Sequence, residues 1–193
     1  MIDVTDCRDL TSLQTLLFMI LFLQCSSRLS TCYSYISIAL SGSIRMGLHR
    51  SIHGNFNPIE QEIRKRIFWV VRKMDIYVAA LLGLPIYLSD DDIDQEAPLE
   101  VDDDYITSND ILPMPSGQLS LLTAFNAHTR LVRILAKTTR YIYPVKGSTP
   151  GSKQSNAVSH ARVREIEQDL QTWMEGLPMA LRPGGEAPPE IER

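Results

Sequence analysis

One stretch, residues 57–83, constrains the fold of this chain more than any other part of the sequence. It begins with Asn57-Pro58, a pair that can cap a helix and open its first turn, and it ends at Gly83, a typical helix-ending residue. Eight apolar residues between these signals recur at helical spacing and form a stripe about 120° wide. They are Ile59, Ile63, Ile67, Val70, Val71, Met74, Val78 and Leu81.

Further apolar residues on the same stretch lie outside that stripe: Phe68, Trp69, Ile76 and Ala79. A helix that is apolar on two sides needs partners on both, so it is predicted to be the central helix of the fold.

The rest of the chain also shows helical spacing, and no run alternates in the way that a half-buried strand would. The second helix contains the small residues Ser37, Ser41, Gly42 and Ser43, which would let another backbone come close, and it ends at Gly47. The predicted fold is all-α, an irregular bundle of about five main helices with an acidic loop after the central helix. The four further helices are predicted at 11–24, 30–46, 118–143 and 157–176.

The composition predicts one folded domain over residues 1–183, with a flexible linker inside it and a disordered tail after it. The linker, PVKGSTPGSKQS at 144–155, is rich in glycine, serine and proline, and the tail covers 184–193. The longest apolar run, at 16–23, has eight residues and is much shorter than the roughly 20 that a membrane span requires. The run therefore predicts a core helix, and no contact with a membrane is expected.

The net charge of −4 comes from one place. Residues 90–104, here called the acidic segment, contain nine carboxylates and no basic residue, whereas the remainder has 14 acidic and 19 basic residues. This mild positive excess does not by itself indicate nucleic-acid binding. The three cysteines, Cys7, Cys25 and Cys32, include no C-x-x-C pair. They indicate reduced thiols of an intracellular protein rather than a set of zinc ligands.

The acidic segment partly matches two metal-binding patterns. A calcium loop beginning at Asp90 would need glycine and glutamate where the chain has Gln95 and Val101, so that pattern fails. Asp90, Asp91 and Asp94 match the Asp-Asp-x-x-Asp pattern with which all-α prenyl-diphosphate enzymes hold magnesium. No second aspartate-rich motif stands elsewhere in the sequence, and this enzyme hypothesis is kept only as an alternative.

A structural role explains the acidic segment better. Ser89 can cap a short helical turn, Asp92 can complete a capping box, and Pro98 would end the turn. The basic residues of the central helix spread over about 200° of its circumference, which predicts a solvated or ion-paired face rather than a nucleic-acid surface. Arg64 and Arg66 are expected to pair with carboxylates near Asp75 or Asp90–Asp94.

The histidines give weak signals. His49 and His53 have the spacing of two metal ligands on a helix, but Gly47 is predicted to end the helix before them, and a packing role is preferred. His128 is predicted to be a hydrogen-bonded core residue on an apolar helix face. No phosphate-binding glycine loop, G-x-S-x-G elbow or Cys/His nucleophile pair is present, so the sequence predicts no catalytic residue and no metal site.

Three stretches in order, YSYISIALSGSIRMGLHR, EIRKRIFWVVRKMD and LLGLPIYLSDDDIDQEAP, resemble the middle homology region of fungal zinc binuclear cluster transcription factors. This region is also called the fungal-specific or xylanolytic-activator regulatory domain. Leu84 stands where the family often has arginine in a Gly-Arg-Pro motif. The residues that carry the resemblance are Arg45, Gly47, Leu48, His49 and Arg50; Glu62, Arg64, Lys65, Arg66, Phe68, Trp69 and Asp75; and Gly83, Pro85, Asp91, Asp92, Ile93, Asp94 and Pro98.

The resemblance implies the regulatory region of a nuclear transcription factor for RNA polymerase II, with no enzymatic activity. In the family, DNA is bound through a zinc cluster that this chain lacks, so no DNA-binding residue, metal or cofactor is expected here. A homodimer and a corepressor or small-molecule effector are the implied partners. The chain is expected to be a partial domain, and a stand-alone helical interaction module remains the alternative. The implied residue roles are structural: Phe68 and Trp69 would wedge between helices, and Gly83 with Pro85 would set a turn.

Overall fold

The computed structural model describes residues 7–51, 56–142 and 160–184. Within those ranges the chain forms five α-helices, three short 3-10 turns and no β-strand, which confirms the all-α prediction. The helices are α1 (Leu10–Cys25), α2 (Leu29–Arg45), α3 (Pro58–Leu82), α4 (Leu121–Ile142) and α5 (His160–Glu175).

The ends of α3 follow the signals in the sequence. The Asn57 side chain accepts a hydrogen bond from the backbone N–H of Glu60 at 2.8 Å, and Pro58 occupies the first turn. Gly83 ends the helix in the left-handed conformation, with φ of 66°, and this conformation is costly for any residue with a Cβ. The predicted central helix is therefore confirmed at both ends.

The main core is built by α1, α2 and α3, with α2 in contact with both of the other helices. From α3 the predicted stripe contributes Ile67, Val71, Met74 and Val78, while Ile59 and Leu81 at its two ends are exposed. The second apolar side is confirmed as well. All four of its members are buried: Phe68, Trp69, Ile76 and Ala79.

Helix α1 is apolar around most of its circumference. Asp9 caps it by accepting a hydrogen bond from the N–H of Ser12 at 2.7 Å. Its inner side is buried, but Phe18 and Phe22 on the outer side are 73% and 68% exposed. No helix in the described part of the chain is long and apolar enough to cross a lipid bilayer.

Helix α2 ends in a turn that buries the residue after it. Gly47 takes a left-handed conformation with φ of 71°, as its position after the helix predicted. The N–H of Leu48 then reaches back to the carbonyl of Ser43 at 2.9 Å, and the Leu48 side chain is fully buried. This turn starts the loop 47–51, which is important for the candidate site.

The chain divides into two compact units, one ending at Asn126 and one beginning at Ala127. In the second unit, Lys137 of α4 forms ion pairs with Glu165, at 2.7 Å, and with Asp169 of α5. The indole N–H of Trp173 donates to the carbonyl of Ala127 at 2.7 Å. Polar contacts thus join α4 and α5 in this unit.

One expectation for α4 is wrong. His128 is exposed rather than a core residue, although Val132, one turn further along the same helix face, is buried. Among the described residues of α5 none is buried, and Leu170 is 39% exposed. The predicted linker at 144–155 and all of the predicted tail except Gly184 lie outside the described residues.

Replacing Gly42 with alanine is expected to destabilise the first unit. A Cβ at this position of α2 would lie 2.9 Å from the Cβ of Cys7, closer than two such carbons can approach. The expected loss is about 1–3 kcal/mol of unfolding free energy, the usual cost of overpacking, measured by chemical denaturation. Ser41→Ala, at the exposed neighbouring position, is the control and should change the stability little. Equal stabilities of the two variants would contradict the close approach.

Candidate functional site

The acidic segment lies along α3 and runs antiparallel to it. Asp90, near the start of the segment, contacts Arg72, and Asp103, near its end, contacts Arg66. Between these two points the backbone N–H of Leu99 donates to Glu62 in the second turn of α3. The acidic segment is therefore bound to the basic and polar residues of the central helix, as the sequence predicted.

The interaction at the centre of this arrangement is a buried arginine between two carboxylates. The Arg72 guanidinium is 1% exposed and donates to Asp75 at 2.9 Å and to Asp90 at 3.0 Å. Asp75 is fully buried and also accepts the N–H of Tyr87 at 3.3 Å. Burial raises the pKa of Asp75, and the opposing effects are the charge of Arg72 and the N–H groups that the carboxylate accepts.

The chain between α3 and the acidic segment is fixed by aromatic residues. The rings of Tyr33 and Tyr87 stack with their centroids 4.9 Å apart, and the Tyr33 hydroxyl donates to the carbonyl of Pro85 at 2.8 Å. Burial raises the pKa of Tyr33 to about 12. Gly83 and Pro85 thus form the turn that the sequence predicted, and α2 supplies the residue that holds it.

A second buried carboxylate, Glu62, holds the acidic segment from the second turn of α3. It is 3% exposed, and it accepts the N–H of Leu99 at 2.9 Å and lies 3.3 Å from the Lys65 ammonium. Lys65 also pairs with Glu96 at 2.9 Å, and these two carboxylates raise its pKa against the effect of burial. The indole N–H of Trp69 donates to the carbonyl of Glu96 at 2.8 Å.

The last third of the acidic segment is tied to the start of α4. The Ser120 hydroxyl donates to Asp102 at 2.6 Å, and the amide of Asn126 donates to the carbonyl of Pro98 at 2.8 Å. Asn126 also reaches the carboxylate of Glu100 at 3.2 Å. The segment therefore has partners on α4 as well as on α3.

In its middle the acidic segment turns to the loop 47–51. The carbonyl of His49 accepts the N–H groups of both Asp94 and Gln95. The Asp94 carboxylate accepts the N–H of Ser51 at 2.9 Å and pairs with Arg50 at 3.4 Å, and these contacts lower its pKa. Gln95 donates its amide to two carbonyls of the loop, those of Leu48 and Arg50. One segment therefore connects α3, α4 and the loop after α2.

The expected partners of two arginines need correction. Arg66 pairs with Asp103, at the far end of the acidic segment, rather than with Asp75 or Asp90–Asp94. Arg64 donates to the carbonyl of Met46 at 2.8 Å and lies over the ring of Phe56. The residue that pairs with Asp75 and Asp90 is Arg72, another basic residue of the central helix, which is ion-paired, as one of the two alternatives held, but is buried rather than solvated.

The expected structural roles are partly confirmed. Ser89 caps a 3-10 turn at Asp90–Asp92, where its hydroxyl accepts the N–H of Asp91 at 3.4 Å. The turn ends at Ile93 rather than at Pro98. Phe68 packs in the core with residues of α1 and α2. Trp69 is buried too, but its hydrogen bond goes to the acidic segment, so it does not pack only between helices.

The remaining motif residues lie around the loop 47–51. Arg45 is exposed and reaches the carbonyl of Cys7 at 3.4 Å. The Nδ1 atom of His49 is buried without a hydrogen-bond partner among the described residues, and His53 lies outside those residues.

The carboxylates of the Asp-Asp-x-x-Asp pattern have other partners than a metal. Asp90 faces Arg72, and Asp94 faces Ser51 and Arg50, so the two point to different parts of the fold. Across the described ranges, no three or more histidine, cysteine, aspartate or glutamate side chains are placed so that they could hold a metal ion.

One lysine of α3 differs from the others. The Lys73 ammonium lies 3.2 Å from the centroid of the Phe125 ring, and no carboxylate of the described part lies within 4.0 Å of it. Burial lowers the pKa of Lys73 to about 8, whereas carboxylate partners raise the pKa of both Lys65 and Lys137.

Comparison with known proteins gives the family. The family model described as fungal specific transcription factor domain matches residues 2–175, most of the chain. The chain belongs to this family. The acidic segment and α3 therefore form part of a fungal specific transcription factor domain, as the resemblance of the three motifs implied.

Curated fungal relatives agree with this assignment. "Activator of stress genes 1" of Saccharomyces cerevisiae is 44% identical over 100% of this chain and 20% of its own length. "Activator of stress genes protein 1" of Candida albicans is 41% identical over 95% of this chain and 20% of its own length. "Transcriptional activator protein acu-15" of Neurospora crassa is 31% identical over 89% of this chain and 18% of its own length. The chain thus spans about a fifth of the length of these relatives, and no solved structure matches it.

Asp75→Asn is expected to destabilise the fungal domain strongly. The substitution keeps the shape but leaves Arg72 with one carboxylate, and it places an amide where N–H groups now donate. Breaking a buried pair in this way costs about 3 kcal/mol or more, measurable by urea denaturation. Asp91→Asn is the matched control, because Asp91 is exposed, and it should stay within about 0.5 kcal/mol of the parent. A mild effect at Asp75 would show that the buried pair contributes little.

Lys73 is expected to titrate near pH 8, well below Lys65 and Lys137. Its lowered pKa follows from the loss of hydration beside Phe125, which disfavours the charged amine. Side-chain NMR of the lysine ammonium groups against pH measures it, with Lys73→Met to assign the signal. A Lys73 midpoint near 10.5 would show that the ring compensates fully for the lost water.

Proposed function

We propose that this chain is the regulatory region of a fungal RNA polymerase II transcription factor, which controls transcription through contacts with an effector or a protein partner. The observation that carries the proposal is the family match over residues 2–175. Relatives that are named as transcriptional activators or regulators support it. Because the chain spans about a fifth of those relatives, DNA binding is assigned to another part of the full-length protein.

The cysteines support placing the family's zinc cluster outside this chain. A binuclear cluster of this family uses six cysteines, whereas the chain has three. Cys7 and Cys32 are buried, and burial raises the pKa of the Cys32 thiol, which opposes the thiolate that zinc requires. The described cysteines therefore do not fit a zinc cluster, and they are better explained as members of the apolar core.

The ion pairs of the acidic segment support a structural rather than a catalytic use of its carboxylates. Four of the nine carboxylates, those of Asp90, Glu96, Asp103 and Asp94, pair with Arg72, Lys65, Arg66 and Arg50, and they hold helices and a loop together. We assign the protein to the nucleus, where such a factor acts, and propose a homodimer and a corepressor or small effector as its partners. We assign it no enzymatic activity.

A reporter experiment tests the regulatory role. The chain is placed between a heterologous DNA-binding domain and an activation domain, and reporter transcription is compared with that of a fusion lacking the chain. A regulatory region is expected to change the output, since it masks or recruits other surfaces when folded. Asp75→Asn should abolish this change because it disrupts the fold, whereas Asp91→Asn should preserve it.

Two results would count against the proposal. The first is equal reporter output with and without the folded chain, provided that all fusions accumulate to the same level. The second is tight, Mg²⁺-dependent binding of a prenyl diphosphate, measured by calorimetry, which would favour the enzyme alternative on Asp90, Asp91 and Asp94.

A further inference from the structure

A small cavity lies between the loop 47–51 and the first turns of α3. Its volume is about 50 Å³. One water molecule needs roughly 10–15 Å³ on this scale, so the cavity has room for a group of several atoms. The residues that line it are Gly47, Arg50, Ser51, Phe56, Gln61, Arg64, Lys65, Gln95 and Glu96.

The lining of this cavity carries more positive than negative charge. Three of the lining side chains are cationic, and Glu96 is the lining residue with a carboxylate. Glu96 is already paired with Lys65 at 2.9 Å, and Arg50 has Asp94, outside the lining, at 3.4 Å. The third cationic side chain of the lining is Arg64. Within the described part of the chain, no carboxylate lies within 4.0 Å of its guanidinium.

Contacts with neutral groups hold Arg64 in place. One of its terminal nitrogens donates to the carbonyl of Met46 at 2.8 Å, and its central carbon lies 4.2 Å from the centroid of the Phe56 ring. A guanidinium has five N–H donors, and the described contacts use only part of that set.

We propose that this cavity binds the carboxylate or phosphate group of a small metabolite, with Arg64 as its principal ligand. A planar guanidinium recognises both oxyanions through paired N–H donors, and one held in place loses little entropy on binding. The volume fits the oxyanion and excludes a large body such as a nucleotide base from the cavity itself.

Binding at this cavity would act on the acidic segment. The loop 47–51 forms one wall, and the same loop is bonded to Asp94 and Gln95. An anion that neutralises Arg64 would therefore stabilise the loop and, through it, the segment that lies along α3. The idea that this stabilisation regulates transcription rests on the proposed function, whereas the binding of the anion does not.

The test is a titration of the 193-residue chain with inorganic phosphate and, separately, with lactate, at constant ionic strength adjusted with chloride. Saturable binding is expected for at least one probe, seen as backbone amide NMR shifts at Gly47, Ser51 and Gln61 and as a rise in Tm. The two probes distinguish a phosphate ligand from a carboxylate ligand.

Three variants decide whether Arg64 is the ligand. Arg64→Gln is expected to weaken binding about tenfold or more, because it removes a charge-assisted donor set. Arg133→Gln, at an exposed position of α4, removes the same charge elsewhere and should leave the affinity unchanged. Arg64→Lys keeps the charge without the planar fork and should bind with intermediate affinity. If Arg64→Gln does not fold, the comparison of Arg64→Lys with the parent decides.

The proposal is overturned by non-saturating shifts with both anions, by equal affinity of the parent and the Arg64 variants, or by an equal loss in Arg133→Gln. These measurements do not depend on transcription. An inactive reporter fusion would therefore leave the binding result standing, and absent binding would leave the regulatory role standing.

Discussion

The first unit of this protein depends on one buried arginine. Arg72 lies on α3 with 1% of its side chain exposed, and a cation in that position is tolerated only if carboxylates meet it. Asp75 supplies one from the same helix, and Asp90 supplies the other from the acidic segment. The first pairing is local, but the second requires the chain to leave α3, turn at Gly83 and return along the helix. Satisfying this one charge therefore fixes where the acidic segment must begin.

Much of this fold could be predicted from the sequence, because its signals are local. The cap at Asn57, the left-handed Gly83 and Gly47, and the two apolar sides of α3 each depend on residues within a few turns of one another. The attachment of the acidic segment to α3 was predictable as well, since nine carboxylates follow directly after a helix that carries five basic residues. The later helices were harder to predict, because which side of α4 is buried depends on long-range packing.

The pairings inside the candidate site could not be predicted in detail. Charge alone does not distinguish Arg64, Arg66 and Arg72, and the choice depends on the path of the acidic segment through space. One signal was available. Arg72 and Asp75 are spaced three apart within the second apolar side that also contains Phe68 and Ile76, so they share a buried face of the helix. The roles of Glu62 and Gln95 have no such signal, because their partners are backbone groups of distant segments.

The antiparallel course of the acidic segment has a mechanical consequence. Its contacts with α3 extend from Arg72 back to Glu62, across several turns, and they involve different sides of the helix. Rotating α3 about its axis by one residue, about 100°, would misplace all of these partners at once. The segment thus fixes the rotation of α3 about its own axis. A small rotation would change several of these contacts together rather than one of them alone. A disturbance at the loop 47–51, which is bonded to Asp94 and Gln95, would therefore act on the segment that carries all of these contacts.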